Sequence, residues 1–387
     1  MRCRTSLGAS LLSIGLLYAP AATAQPPGGA GNGSMFDRLD KNQDGKLTKE
    51  EFPEFLRGGF KAVDTNGDGS VSRQEDAAFQ KKLLQGGPGA GGFGRLNVSA
   101  TVKIEKEIAY AGTTDPRQKL DLYLPREPKG TGPLPVVVNI HGGAWMGGDK
   151  SMGVDELLPL VASGEYAVAS INYRLSGQAI WPAQVHDCKA AIRWVRANAA
   201  KYHIDADRIG VIGASAGGHL VAMLGASGKA AGLEGEIGPH KGVSTTIRCV
   251  VDEFGPSDLH AMGGSHDAAN SPESRLIGAT VPENKDRARA ASPVTYVTKE
   301  TPPFLIFHGT KDPVVPFNQS ERMAAALRAA DVPVLFVHVV GAGHGGFRNP
   351  EVGRRVRRFF DRNLRGQDVG TISEEPIPND SPAAGKS

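Results

Sequence analysis

Ser215 stands in the pattern G-x-S-x-G, within the stretch GASAG. The residues before it, RIGVIG, are rich in β-branched side chains, whereas the residues after it, GGHLVAMLGAS, favour a helix. A serine at a sharp strand-to-helix turn holds its hydroxyl clear of the backbone, and it becomes a nucleophile when a neighbouring base removes its proton. Because the pattern also occurs by chance, the interpretation requires a histidine and a carboxylate elsewhere in the chain.

The candidate base is a histidine that follows the serine. In hydrolases built around this turn the chain order is serine, acid, histidine, and only His338 and His344 come late enough. His338 lies in the strand-like run VLFVHVV, where packing is the expected role, and His344 lies in the loop sequence GAGHGG. We therefore predict His344 as the base of Ser215, and we expect His219 and His308 to pack or to form hydrogen bonds within loops.

The candidate acid is Asp312. It follows the apolar run PPFLIFHG and precedes Pro313, which cannot continue a strand. A carboxylate at this position can orient the histidine and stabilise its charged form. Asp258, in FGPSDL after an earlier strand-like run, is the alternative acid.

Hydrolysis through a tetrahedral intermediate also requires N–H donors for the developing oxyanion. The run VVVNIHGGAW ends a predicted strand at two glycines whose N–H groups no side chain obstructs. We predict Gly142 and Gly143 as donors on that loop, and the N–H of Ala216, directly after the serine, as the third. A simple strand-ending turn is the alternative for this stretch.

An internal repeat precedes these motifs. The stretch FDRLDKNQDGKLTKEE from Phe36 matches FKAVDTNGDGSVSRQE from Phe60 in register. Each copy supplies oxygen ligands at positions 1, 3, 5, 7, 9 and 12 of a calcium loop, with glycine at position 6. The candidate ligands are Asp40, Asn42, Asp44, Lys46, Thr48 and Glu51 in the first loop, and Asp64, Asn66, Asp68, Ser70, Ser72 and Glu75 in the second, with position 7 acting through its carbonyl.

The repeat resembles an EF-hand pair over about residues 35–80, and apolar residues at loop position 8, Leu47 and Val71, predict a small shared core. Only FPEFLRGGFKAV separates the loops, a compact spacing similar to that of dockerin modules, which usually carry aspartate at position 12. The resemblance implies Ca²⁺ as a structural or docking cofactor and a possible docking partner. A loop pair that has lost calcium binding is the alternative.

From about Asn97 onward, β-rich runs alternate with helical runs, which predicts a mostly parallel sheet covered by helices on both faces. Together with the motifs above, residues 95–366 resemble an α/β-hydrolase of the esterase/lipase type, as in hormone-sensitive-lipase-like esterases. The stretch INYRLSGQAIWPAQVHDCKAAIRWVRANAAKYHIDADRIGVIGASAGGHL is nearer to secreted bifunctional acetylxylan and feruloyl esterases. The expected fold class is therefore an α/β-hydrolase preceded by a small helical EF-hand module.

The resemblance implies ester hydrolysis through an acyl-enzyme, without a cofactor for catalysis. The loop reads HGGA, one glycine fewer than the common HGGG, so Gly142, Gly143 and Ala144 are all possible donors. Residues 255–300 are rich in small residues, which favours short acyl groups on a polar or carbohydrate alcohol over long-chain lipids. A serine peptidase of the prolyl-oligopeptidase type and a catalytically inactive calcium-dependent binding protein are the alternatives.

Composition divides the chain into five predicted segments. They are a signal peptide over residues 1–24, an EF-hand-like pair over 35–85, a glycine-rich linker over 86–94, a hydrolase domain over 95–366 and a disordered tail over 367–387. The apolar run LLSIGLLY follows two arginines and precedes small residues, as in a cleaved signal. Since that run is shorter than the ~20 residues of a spanning helix, we predict a secreted or periplasmic protein without a membrane span.

Charge and cysteine content add little to this assignment. The formal net charge of +3 does not favour a nucleic-acid partner, and the basic run RRVRRFF from Arg354 is interpreted as a solvated helix face. Beyond the predicted signal peptide the chain has two cysteines, Cys188 and Cys249. An oxidising compartment would allow them to pair, and two separate buried thiols are the equal alternative.

Overall fold

The structure is a computed structural model that describes Phe36, Asp40, Ala78 and residues 42–51, 63–76, 98–228 and 230–380. The predicted signal peptide, the linker and residues 381–387 lie outside this description. The chain divides into two compact units, Met1–Asp76 and Ala77–Ser387, called here the first and the second unit. Among the described residues, no helix combines the length and the apolar character needed to cross a membrane.

The first unit contains two short strands, β1 (Lys46–Thr48) and β2 (Ser70–Ser72), which pair antiparallel. Leu47 lies directly opposite Val71, and both side chains are buried together with Phe36 and Val63. The strands therefore join the two predicted calcium loops at position 8, as the repeat predicts. Phe60, the counterpart of Phe36, lies outside the described residues.

The second unit is built on one nine-stranded sheet with the spatial order β11-β10-β9-β8-β7-β5-β6-β4-β3. β4 pairs antiparallel with β3 and β6, and every other neighbouring pair is parallel. The strands are β3 (Val102–Ala109), β4 (Lys119–Pro125), β5 (Leu134–Ile140), β6 (Ala167–Ile171), β7 (Ile204–Ala214), β8 (Cys249–Glu253), β9 (Phe304–Gly309), β10 (Val334–Val340) and β11 (Ile377–Pro378).

Helices cover both faces of this sheet. They are α1 (Val98–Thr101), α2 (Leu158–Ala162), α3 (Ala183–Ala197), α4 (Ala216–Ala226), α5 (Pro272–Ile277), α6 (Lys285–Ala290), α7 (Asn318–Ala329) and α8 (Glu351–Arg365). Along β5, Val136 and Val138 pack into one core with residues of α3, α4 and α7, whereas Val137 packs into a second core with residues of α2 and α8. A strand buried on both faces is nearly continuously apolar, as the sequence LPVVVNI is apart from Asn139. The predicted α/β-hydrolase fold is confirmed.

Parallel pairing determines where the loops gather. The carboxyl ends of β5, β7, β8, β9 and β10 reach the same edge of the sheet, because these strands run in one direction. The loops that follow them meet in the crevice at this edge, where ligands of open α/β sheets bind. Gly142, Ser215, Asp312 and His344 all lie on these loops.

The prediction of a disordered tail is wrong for residues 367–380, which are called here the C-terminal strap. Its strand β11 extends the sheet by parallel pairing with β10, and Ile372 and Ile377 are buried. The arginines of α8, predicted to form a solvated face, donate hydrogen bonds to strap carbonyls. Arg355 contacts the carbonyls of Ser373 and Glu375, both at 2.8 Å. These long-range bonds order a segment whose composition is typical of disorder.

Cys188 and Cys249 are both free and buried. Cys188 lies in α3 and belongs to one core, whereas Cys249 lies in β8 and belongs to the other. Because the sheet separates the two cores, the thiols do not pair. Of the two possibilities left open by the sequence, separate buried thiols is the one observed.

Candidate active site

Ser215 occupies a strained turn between β7 and α4. Its φ of 57° and ψ of −121° are unusual for a residue with a side chain. The Ser215 N–H donates to the carbonyl of Glu253 at 2.9 Å. Gly217 permits this turn, because a Cβ there would lie 2.0 Å from the carbonyl oxygen of Ile140 at the end of β5. The backbone therefore fixes the serine hydroxyl at the edge of the sheet.

The three residues predicted to act together are in hydrogen-bond contact. The Ser215 hydroxyl lies 2.9 Å from Nε2 of His344, and Nδ1 of His344 lies 2.8 Å from Oδ2 of Asp312. The His344 side chain is partly exposed, at 23%, whereas the Asp312 side chain is fully buried. The chain thus places a serine hydroxyl, an imidazole open to the crevice and a buried carboxylate in line, which is the arrangement that nucleophilic catalysis by serine requires.

Asp312 is held as a carboxylate by its surroundings. Oδ1 accepts hydrogen bonds from the N–H groups of Val314 and Val315 at 2.7 and 3.0 Å. Burial alone would raise the pKa of Asp312, but hydrogen bonds from His308 and His344 hold it well below its usual range. An ionised Asp312 keeps the proton of His344 on Nδ1 and leaves Nε2 free to accept from the serine.

His308 is a contact of the acid that sequence order alone did not reveal. It lies four residues before Asp312, at the end of β9, with Nε2 3.3 Å from Oδ2 of Asp312 and 3.1 Å from the carbonyl of Val315. Its Nδ1 lies 2.7 Å from the hydroxyl of Ser320. The two oxygen acceptors at Nε2 place the proton there, so His308 donates toward the acid. The pattern H-x-x-x-D at the end of a strand is the local feature by which it could have been found.

The remaining alternatives have other roles. His338 lies in β10 and packs against the rings of Phe317 and Phe336, as expected. Asp258, the alternative acid, accepts from Arg322 at 3.3 Å. His219, for which packing or loop hydrogen bonding was expected, is buried within α4, and its contacts bear on the oxyanion loop described below.

An aromatic residue supports the base. Phe254, directly after β8, has a φ of 47° and packs its ring edge-to-face against His344, with the centroids 4.7 Å apart. It also contacts Phe347 on the loop after His344. Neither residue carried a sequence motif, because the contact joins the segments that follow β8 and β10, the two strands on either side of β9.

The predicted oxyanion donors lie beside the serine. A Cβ on Gly142 would lie 2.8 Å from the carbonyl oxygen of Ala214 and 3.5 Å from Cβ of Ser215, so the loop after β5 passes directly next to the nucleophile. Ala216 is the first residue of α4, where N–H groups have no partner within the helix. Among the described residues, no backbone carbonyl accepts a hydrogen bond from the N–H groups of Gly142 and Gly143. Gly142 and Ala216 therefore lie next to Ser215 on two elements, and Gly143 follows Gly142 on the loop.

Each predicted calcium loop folds around its own carboxylates. Asp40 accepts from the N–H groups of Asp44 and Gly45 at 3.1 and 3.0 Å. Glu75 accepts from the backbone and hydroxyl of Ser72, and these bonds lower its pKa to about 2. Among the described residues no three histidine, cysteine, aspartate or glutamate side chains form a metal-binding group. The donor set of both loops is nonetheless all oxygen and includes ionised carboxylates, which fits Ca²⁺ in its chemistry.

Comparison with known proteins identifies the family of this chain. The BD-FAE family model matches residues 120–327, and the EF hand model matches residues 33–56 and 56–75. The chain is 34% identical over 234 residues to Esterase LipC of Mycobacterium tuberculosis, a match that covers 60% of this chain and 57% of the relative. The chain thus spans little more than half the length of this curated relative.

Solved structures agree with this comparison. A truncated form of a carbohydrate esterase from gut microbiota is 35% identical, with a TM-score of 0.64, over 68% of this chain and 96% of that one. A bifunctional GH43-CE of Bacteroides eggerthii is 36% identical, with a TM-score of 0.63, over 67% of this chain and 35% of that one. The chain belongs to the BD-FAE family of esterases, with an α/β-hydrolase fold and a pair of EF-hand motifs ahead of it.

Proposed function

We propose that this chain is a serine carboxylic-ester hydrolase that acts through an acyl-enzyme on short acyl esters of polar or carbohydrate alcohols. The observation that carries the proposal is the line of contacts from Ser215 to His344 at 2.9 Å and from His344 to Asp312 at 2.8 Å. A serine hydroxyl is a weak nucleophile without such a base. The order of these residues in the chain and the distances between them both support this proposal.

In the first step His344 accepts the proton of Ser215 as the serine oxygen attacks the ester carbonyl. Asp312, buried and ionised, stabilises the resulting imidazolium. His344 then returns the proton to the departing alcohol, and the acyl group remains on Ser215. Water, deprotonated by the same histidine, releases the acid and restores the free serine.

The negative charge of each tetrahedral intermediate falls on the former carbonyl oxygen. In this proposal the N–H groups of Gly142, Gly143 and Ala216 receive that oxygen, because Gly142 packs against Ser215, Gly143 follows Gly142 on the same loop and Ala216 directly follows the serine. One such donor is worth on the order of 10²- to 10³-fold in rate. The residues of this chain thus supply nucleophile, base and charge stabilisation for ester hydrolysis.

Two observations support small acyl groups on carbohydrate alcohols. Between residues 255 and 300, all of which the structure describes, no large hydrophobic side chain is exposed. A lipid-binding lid would expose such side chains. Two similar solved structures carry the names carbohydrate esterase and GH43-CE. An acetylated or feruloylated xylan is the substrate type that combines these features.

The first unit is proposed to bind two Ca²⁺ ions, in a structural or docking role. The ligands would be the oxygen donors at positions 1, 3, 5, 7, 9 and 12 of each loop, from Asp40 to Glu51 and from Asp64 to Glu75. Residues 1–24 support export to the periplasm or the medium. In the docking role, the first unit would bind a partner.

The test is initial hydrolysis of p-nitrophenyl acetate and butyrate, acetylated xylan and a feruloyl sugar by the full chain. Ser215→Ala removes the nucleophile, so turnover should fall by about 10⁴-fold or more. Asp258→Asn, which changes the alternative acid, should retain most activity. If the wild type cleaves a proline-containing peptide instead of the esters, the peptidase alternative replaces this proposal. If wild type and Ser215→Ala are equally inert on all of them, the chain is a binding protein.

A further inference from the structure

The two sides of the oxyanion site lie on separate elements. Gly142 and Gly143 belong to the loop after β5, whereas Ala216 begins α4. Oxyanion donors act when they lie about 2.7–3.1 Å from the oxygen they stabilise. The position of the loop relative to the helix therefore governs how well the donors converge.

The loop after β5 has an unfavourable backbone conformation. Gly143 has a φ of 109°, and a Cβ there would lie 2.4 Å from the carbonyl oxygen of Gly147. Ala144 and Trp145 follow with φ values of 54° and 55°. Two consecutive residues with side chains in the left-handed region cost on the order of 1–3 kcal/mol each. Contacts elsewhere must hold the loop in this shape.

The Trp145 side chain provides such a contact. It is almost fully buried, and its Nε1–H donates to Nδ1 of His219 at 3.2 Å. The two rings meet edge-to-face with centroids 5.1 Å apart. The Trp145 carbonyl also accepts from the N–H of Ser176 at 2.8 Å. The indole is therefore anchored by both packing and a hydrogen bond.

His219 connects this indole to the nucleophile helix. It lies one turn after Ser215 in α4, and its N–H donates to the Ser215 carbonyl at 2.9 Å. On its other side Nε2 donates to the carbonyl of Ala291 at 2.7 Å. The two ring nitrogens thus have fixed roles, with the proton on Nε2 and an acceptor at Nδ1. Burial lowers the pKa of His219 to about 4, so this neutral form persists at neutral pH.

We propose that Trp145 and His219 are positioning residues for ester hydrolysis, which hold the loop donors Gly142 and Gly143 in register with Ser215 and Ala216. This inference rests on the proposed function. Neither side chain contacts the triad, and their effect acts through the backbone of the loop and the helix. They therefore lower the free energy of the transition state, in which the oxyanion forms.

Three variants separate the components of this contact. Trp145→Phe removes the N–H and keeps an aromatic ring, His219→Leu removes the acceptor, and His219→Asn keeps an oxygen acceptor close to the position of Nδ1. We expect Trp145→Phe and His219→Leu each to lower kcat by about 10- to 100-fold with little change in KM, because donors of an oxyanion act on the transition state. His219→Asn should recover most of kcat.

A control variant and a double variant test whether the loss of kcat is specific to the contact between Trp145 and His219. Trp194→Phe is the matched control, since Trp194 lies in α3 and packs against Tyr202 away from the loop. It should leave kcat unchanged. The double variant Trp145→Phe/His219→Leu should be no slower than the slower single variant, because both changes break the same bond. Additive losses, or losses confined to KM, would contradict the inference.

A second measurement reads the contact itself in the full chain. The sequence has three tryptophans, so selective ¹⁵N labelling gives three indole N–H resonances, and Trp145→Phe identifies that of Trp145. This resonance should shift in His219→Leu and return toward its original position in His219→Asn. An unchanged resonance in His219→Leu would overturn the contact. If the wild type hydrolyses no ester, the proposed function fails and the inference falls with it; if the wild type is active and kcat is unaffected by the variants, only the inference fails.

Discussion

At the scale of single residues, Asp252 is a carboxyl group near the serine whose environment opposes ionisation. It lies in β8, is fully buried, and accepts from the Gly255 N–H at 2.9 Å. Gly218 and Gly255 pack so closely against it that a Cβ on either would lie within 2.6 Å of its Oδ1. Burial raises the pKa of Asp252 to about 6, although the Gly255 bond and nearby His308 act in the opposite direction.

This raised pKa predicts a pH-dependent effect of Asp252→Asn on stability. The unfolded chain ionises Asp252 above about pH 4, whereas the folded chain ionises it only near pH 6, so ionisation disfavours folding. The cost is absent below pH 4, grows between pH 4 and 6, and is complete above pH 6. Since asparagine keeps the acceptor and never ionises, the variant should gain on the order of 1–3 kcal/mol at pH 7.

Chemical denaturation of wild type and Asp252→Asn at pH 4, 5, 6 and 7.5 measures this difference. Titrating groups that do not interact with Asp252 cancel in the comparison, whereas Glu253, whose pKa the charge of Asp252 helps to raise, adds to the gain. The matched change Asp258→Asn, on a partly exposed carboxylate beside Arg322, should show no gain at pH 7.5. A difference between wild type and Asp252→Asn that stays constant with pH would contradict the prediction.

Residues that lie in a motif and follow the expected order along the chain could be predicted from the sequence, whereas residues whose role depends on tertiary contacts could not. Ser215, Asp312 and His344 were selected from order and local pattern, and the structure brings them into hydrogen-bond distance. His219 and His308 were assigned only packing or loop hydrogen bonds. The hydrogen-bond partners of the His219 side chain lie 72 and 74 residues away, and sequence spacing does not report such proximity, whereas Asp312 lies only four residues after His308.

At the scale of elements, the sheet was predictable because each central strand is a short apolar run between breakers. β5 and residues 209–213 of β7 show this pattern, and both runs are buried on two faces. The C-terminal strap was not predictable in this way. Its order comes from pairing of β11 with β10 and from arginines of α8, which are interactions between elements and leave no trace in local composition.

The strap should stabilise the second unit measurably. A chain that ends at Gly366 loses the buried Ile372 and Ile377 and exposes the edge of β10. It also leaves Arg355, whose side chain is 7% exposed, without the carbonyls of Ser373 and Glu375. Removing two buried isoleucines alone costs about 3–5 kcal/mol. We therefore expect the apparent Tm of the second unit to fall by roughly 10 °C.

Thermal unfolding followed by circular dichroism tests the role of the strap. The matched control ends at Asp380 and keeps the whole strap, so its Tm should equal that of the full chain. Arg355→Met, which removes only the guanidinium, should cause a smaller decrease. Equal Tm values for the chains ending at Gly366 and Asp380 would show that the strap does not contribute.

At the scale of the whole molecule, the chain combines two units with separate cores. The first unit buries Phe36, Leu47, Val63 and Val71, whereas both large cores of the second unit consist of residues beyond position 101. The internal repeat made the first unit predictable, because each calcium loop has a fixed spacing of ligands. Separate cores imply that a change in one unit need not alter the packing around the triad.

Calcium removal should therefore affect the first unit and leave ester hydrolysis unchanged. Without an ion, each loop concentrates three carboxylates, Asp40, Asp44 and Glu51 in the first and Asp64, Asp68 and Glu75 in the second. Their repulsion is relieved by loop N–H groups and hydroxyls, and at Asp40 also by the Arg73 guanidinium at 3.8 Å. Titration of the chelator-treated full chain with Ca²⁺ should show two sites. Glu51→Gln and Glu75→Gln should each weaken one site by at least about tenfold, because position 12 supplies two charged oxygens. Glu50→Gln, at position 11 of the first loop, is the control and should not weaken binding.

Initial rates on p-nitrophenyl acetate should be equal with Ca²⁺ and with chelator. A loss of kcat with chelator would show that the ion supports the triad across the two units.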